Sequence, residues 1–179
     1  MPFLVDVFTT ATLVGQVVLG LFVLLMFYQY FSKKKIGLLN KWASHGKEHS
    51  VKISFILSLT ATLGSLYLSK ILGWAPCEMC WYQRIVMYPL VVVFGVGLLT
   101  RDKRVFNYAL PLIIMGLLLS SYHYYIQVNQ VVTGCSINPE ESCSNKFTFA
   151  YGYITIPMMA FSVFASMLVL GLLNKRWKK

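Results

Sequence analysis

Apolar residues in this chain gather into long runs. Five stretches, about 10–31, 53–73, 81–99, 105–128 and 151–173, are nearly free of charge. Each is close to the roughly 20 residues a helix needs to cross a hydrocarbon layer of about 30 Å. The pattern predicts five transmembrane helices. The segments between them are too short for a soluble domain, since even a marginal independent core takes roughly 40 to 60 residues. The expected fold is all-α, a polytopic protein whose main solvent is the lipid bilayer.

Composition agrees: 57% of the 179 residues are hydrophobic and 12% charged, against about 25% charged in soluble domains. A net charge of +10 would suggest nucleic acid if the basic residues formed a stripe on a soluble face. They form none, which argues against a nucleic-acid partner. Lys33, Lys34, Lys35, Lys41, Lys47 and Lys52 lie in the first connection, Arg101, Lys103 and Arg104 in the third, and Lys175, Arg176, Lys178 and Lys179 in the tail. Of the sixteen Lys and Arg, all but Lys70, Arg84 and Lys146 thus fall in alternate connections that share one side. The positive-inside rule makes that side cytoplasmic. The N-terminus is then expected outside and the C-terminus inside. The first run lacks the basic residues that precede a cleaved signal sequence and is long enough to span, so it reads as a retained helix.

All four cysteines, Cys77, Cys80, Cys135 and Cys143, fall in the two outward connections. Thiols outside the cytoplasm are not held reduced, so an even set there implies disulfides. Four cysteines allow three pairings, and proximity favours two local ones, Cys77 with Cys80 and Cys135 with Cys143. Two stabilising bridges or a four-thiolate zinc site across both loops are the alternatives. The spacing of Cys135 and Cys143 is too wide for a zinc ribbon. A disulfide across two residues gains little chain entropy, whereas a dithiol so spaced commonly has redox chemistry.

Pro76 ends the preceding element and the apolar run resumes at Trp81, which puts Cys80 near a helix N-terminus, where unpaired N–H groups favour a thiolate. If the helix begins near Cys77, then Cys77, Cys80 and Arg84 share a face, with Arg84 about 6 Å below Cys80 by helical rise. A cation inside a span is a functional candidate by default; snorkelling to headgroups is the alternative. Lys70, one turn from an outer end, is explained by snorkelling. His123, amid Tyr122, Tyr124 and Tyr125, should sit at a depth similar to Arg84. The two could hold the opposite carbonyl oxygens of a quinone, or His123 could belong to an interfacial aromatic belt. His45 and His49, in the basic loop, read as solvated.

Cys77-Glu78-Met79-Cys80-Trp81-Tyr82-Gln83-Arg84 resembles the signature of the disulfide bond formation protein B family, and the second loop with two cysteines is similar too. The resemblance covers residues 50–179 and implies a four-helix bundle. Residues 1–49 would then add an N-terminal transmembrane helix and a basic cytoplasmic loop. It implies a thiol oxidoreductase in a bacterial cell membrane that takes electrons from an extracytoplasmic thioredoxin-fold oxidase, DsbA-like, and passes them to ubiquinone or menaquinone. On this resemblance Cys77 and Cys80 match the quinone-proximal pair, Arg84 the quinone-binding arginine, His123 a histidine near the quinone, and Cys135 and Cys143 the pair that exchanges with the partner. The short spacing between Cys135 and Cys143 is similar to compact members from Gram-positive bacteria. Vitamin K epoxide reductase shares the bundle and the chemistry but places its quinone-side CxxC after the loop pair, so motif order favours the first family. A membrane scaffold with structural disulfides is the non-enzymatic alternative.

Overall fold

The computed structural model describes residues 3–32, 37–102, 104–130, 142–144 and 147–176. Six helices account for most of them: α1 (Phe3–Ser32), α2 (Gly37–Glu48), α3 (Ser50–Lys70), α4 (Glu78–Leu99), α5 (Val105–Asn129) and α6 (Ile156–Arg176). All but α2 are long and apolar enough to cross a membrane. The protein is an all-helical, multi-pass membrane protein. Among the described residues the one extended pairing is an isolated bridge between Ala150 and Ile154. Lipid can hydrogen-bond no backbone, so helices that satisfy their own N–H and C=O groups are the expected solution.

Helices α3, α4, α5 and α6 pack each on the next, and α6 returns to α3, closing a four-helix ring. Met87, Leu90 and Phe94 of α4, Ala109 and Ile113 of α5, and Phe164 and Met167 of α6 fill its centre. Their spacing of three to four residues puts them on one face of each helix. Small residues allow the close approaches. Gly116 leaves room for the Phe164 ring, Gly97 meets Val105, and Ser50, Ser54 and Ser58 make a buried stripe along α3. The outward face carries large exposed apolar side chains such as Ile85, Val92, Leu118 and Leu172, as a lipid-facing surface requires.

The basic connection expected as a loop contains helix α2, which rests on α6; Leu173 lies 3.9 Å from where a Cβ on Gly46 would stand. Helix α1 runs outside the ring and touches α6 and α2. At the end of the bundle that carries the cysteines, the α3–α4 turn passes through Gly73, whose φ of 70° favours glycine. Trp74 beyond it stacks on Phe147 with ring centroids 5.6 Å apart.

Candidate active site

Helix α4 begins where the CxxC does. Cys77 is its N-cap residue, with extended backbone (φ −67°, ψ 171°), and its carbonyl accepts the Trp81 N–H at 3.1 Å. The cap geometry turns the Cys77 side chain inward while Cys80 occupies the first helical turn. The thiol of Cys77 donates to the Cys80 sulfur at 3.5 Å. That hydrogen bond, with burial adding to it, pushes the Cys77 thiol up to about 12, against a downward pull from the imidazole of His123. Cys77 is thus the proton-bearing partner of the pair at neutral pH.

His123 stands behind the cysteines. It falls on the α5 stripe of Gly116, Ser120, His123 and Gln127, which faces the bundle interior, while Tyr122 and Tyr125 on the other face are exposed. Its Nε2 lies 3.6 Å from Cys77 Sγ and 3.2 Å from the Cys143 carbonyl oxygen. The Gln83 amide nitrogen approaches Nδ1 at 3.2 Å. With Gln83 donating to Nδ1, the imidazole proton sits on Nε2, directed at the Cys143 carbonyl and the Cys77 sulfur.

Cys143 is itself fully buried and packs with Cys77 and Ile126, with Met79 and Cys80 against them. The structure therefore brings Cys77, Cys80, Cys143 and His123 together. Cys135 lies outside the described residues.

On the other side of Cys80 is a cavity of about 290 Å³. Cys80, Gln83, Arg84, Met87 and Tyr88 of α4 line it, with Ser65 and Gly64 of α3, Met159 and Val163 of α6, and residues of α1. Arg84 does not snorkel. Its Nε donates to Ser65 Oγ at 2.9 Å and its Nη2 to the Ser65 carbonyl at 3.1 Å, and the guanidinium lies 5.1 Å from the centre of the Trp81 ring. A planar fork tied to α3 in this way keeps further N–H groups for a ligand.

The placement of His123 corrects one expectation: it does not line the Arg84 cavity. The cause is the packing of α5, which meets α4 on the Cys77 side, so that imidazole and guanidinium flank the CxxC from opposite directions. Cys80 and Arg84, about one helical turn apart, share the cavity face, whereas the extended N-cap backbone of Cys77 turns its side chain away from it. Cys80 lines the Arg84 cavity, Cys77 turns to His123, and Arg84 turns to Ser65. Gln83, Ser65 and Tyr88 join the site although sequence reasoning passed over them. Gln83 carries a usable signal, as an amide inside an apolar run one residue before the arginine. The Tyr88 hydroxyl is buried without a hydrogen-bond partner among the described residues.

Residues 47–174 match the family described as "Disulfide bond formation protein DsbB". The chain belongs to that family. This DsbB-family chain is 43% identical over 126 residues to "Disulfide bond formation protein C" of Bacillus subtilis, covering 68% of this chain and 89% of the relative. It is 40% identical over 129 residues to "Probable disulfide formation protein C" of Halalkalibacterium halodurans, covering 70% and 92%. No solved structure matches it. As a DsbB-family member it is a membrane disulfide-bond formation protein with disulfide oxidoreductase activity. The matched region begins within α2, so α1 lies outside it.

Proposed function

We propose that the chain is a thiol:quinone oxidoreductase that reoxidises an extracytoplasmic thioredoxin-fold, DsbA-like oxidase and delivers the electrons to membrane ubiquinone or menaquinone. The observation that carries this reading is the position of Cys80, paired with Cys77 on one side and lining the Arg84 cavity on the other. The cavity's 290 Å³ is near the lower end of small-ligand pockets, about 300 Å³, and suits a quinone ring whose tail leaves into lipid. Among its polar groups, the Arg84 guanidinium and the Tyr88 hydroxyl, which has no hydrogen-bond partner among the described residues, are donors that two carbonyl oxygens could accept from. A bound quinone supplies an acceptor for two electrons and two protons.

The chain's own cysteines supply the relay. A thiolate of the reduced partner attacks Cys135 in a Cys135–Cys143 disulfide, and the partner's second cysteine resolves the mixed disulfide. The freed Cys143, adjacent to Cys77, attacks the Cys77 sulfur, breaking the Cys77–Cys80 bond and releasing Cys80 as a thiolate. Cys135 then recloses on Cys143 and frees Cys77. With an acceptor in the cavity, Cys80 would donate the electron pair, Cys77 would release its proton to the aqueous side while the His123 Nε2–H stabilises its thiolate, and the two sulfurs would close to about 2.05 Å. The net change is one partner dithiol oxidised and one quinone reduced. Arg84 holds the negative charge that develops on the acceptor oxygen. The cysteine-bearing end faces outward and α2 the cytoplasm, as the basic connections favour.

Purified protein should oxidise a reduced thioredoxin-fold substrate beyond the equivalents held in its own disulfides only when quinone is added. Cys135→Ala and Cys80→Ala should each abolish turnover, and Arg84→Ala should raise the quinone KM with thiol exchange intact. Unchanged quinone kinetics in Arg84→Ala would remove that residue from the mechanism. A second reading has one observation in its favour: the ligand atoms of Cys77, Cys80 and His123 lie within 4.8 Å of one another, a donor set that suits zinc. Stoichiometric zinc in the purified protein, with no quinone-dependent turnover, would replace the oxidase reading.

A further inference from the structure

The Arg84 cavity has a wall that the family match does not contain. Phe8, Ala11, Thr12, Gly15, Gln16 and Leu19 of α1 line it, and their spacing of three to four residues makes them one face of that helix. The other face carries exposed Val14, Val17, Val18 and Leu21, as expected of side chains turned to lipid.

Helix α1 is fixed in this position by polar contacts, which packing apolar side chains beside the bundle would not need. The Gln16 Nε2 donates to Ser162 Oγ at 2.7 Å, and the Tyr153 hydroxyl donates to Gln16 Oε1 at 2.7 Å. Thr10 and Tyr151 share a hydroxyl hydrogen bond of 3.1 Å. The Phe8 ring stands 3.5 Å from where a Cβ on Gly64 would be. The helix thus reaches α3 through Phe8 and α6 through Gln16, bridging both across the cavity.

The cavity face of α1 is also built to leave space. A Cβ on Gly15 would meet nothing within 4 Å, and Ala11 and Thr12 are small. A helix that merely covered the bundle would fill the gap with larger side chains, as the ring interior does with Phe94 and Phe164.

We infer that α1 is the lipid-side wall of the quinone site, and that Gly15 sets the width available to the ring while Gln16 locks the wall to α6. Its residues are specificity determinants for the quinone that this chain accepts. The inference rests on the quinone reading above.

The test uses full-length protein in lipid nanodiscs. Quinone binding is read from quenching of tryptophan fluorescence, since Trp74 lines the same cavity. Labelling is read by mass spectrometry after irradiation with an azido-quinone. The wild type should bind quinone and carry label on the peptide spanning residues 8–19. Gly15→Phe, which fills the space, should weaken binding by about tenfold or more, while disulfide exchange with the reduced partner is unchanged. Val14→Phe on the lipid face should bind as the wild type does. Should Gly15→Phe fail to fold, Gly15→Leu and the wild-type labelling pattern decide. Wild-type quinone binding with no label on α1 and no change in the Gly15 variants would overturn this inference alone. No binding of any quinone by the wild type would overturn the quinone reading itself.

Discussion

At the scale of single residues, the site divides its two thiols by their neighbours. Cys77 donates to Cys80 and is pushed up to about 12, so its thiol form persists through neutral pH and is lost only in strong alkali. Iodoacetamide should therefore alkylate Cys77 of the reduced protein slowly near neutral pH. Cys80→Ala removes the largest cause of the upward shift, so in that variant Cys77 alkylation should move to lower pH. His123→Ala removes an opposing pull and should move it higher. Peptide mass spectrometry across a pH series checks both signs. Ser65 fixes the Arg84 fork through its hydroxyl and its carbonyl. Ser65→Ala should lose one charge-assisted bond, about 1.5 kcal/mol, seen as roughly a tenfold rise in quinone KM with partner kinetics unchanged. Cys77, Cys80 and Arg84 stood out as candidates in the sequence because a CxxC and a cation inside an apolar run are rare. Ser65 and Tyr88 were not, because a serine or a tyrosine in an apolar run is ordinary until its contacts are seen.

At the scale of elements, helix contacts decide what each residue can do. Gly116 on α5 faces the fully buried Phe164 of α6. Gly116→Ala should force that ring against its neighbours and destabilise the bundle by about 1–3 kcal/mol, read as a lowered Tm in detergent. A Tm equal to that of the wild type would mean that the α5–α6 seam has slack the structure does not show. The number and order of the spanning helices followed from the apolar runs, since length against bilayer thickness is a one-dimensional criterion, although α1 begins at Phe3 and α6 at Ile156 rather than at the starts of the first and last runs. Helix α2 escaped it because it is short and carries lysines, and its pairing with α6 is a tertiary contact. His123 lies beside Cys77 and not on the Arg84 cavity, because position along a helix does not say which adjacent helix a side chain meets.

At the scale of the whole molecule, the charge pattern predicts an orientation that can be measured. A green fluorescent protein fused to the C-terminus should fluoresce, and alkaline phosphatase fused there should be inactive, if the tail is cytoplasmic; the reverse result would invert the topology. The amino-acid sequence by itself determined that the chain is built of helices able to span a membrane and which family it resembles, and it sets the expectation that thiols and basic connections lie on opposite sides. Each follows from hydropathy, charge or motif order along the chain. Only the tertiary structure decided that Arg84 and His123 stand on opposite sides of the CxxC, that Cys143 is packed on Cys77, and that α1 lines the cavity. The physical reason is that helices of nearly uniform apolarity have no strong preferred face in one dimension. Their mutual rotation is set by where glycines and serines let neighbours approach and by the few polar groups that must find partners away from water.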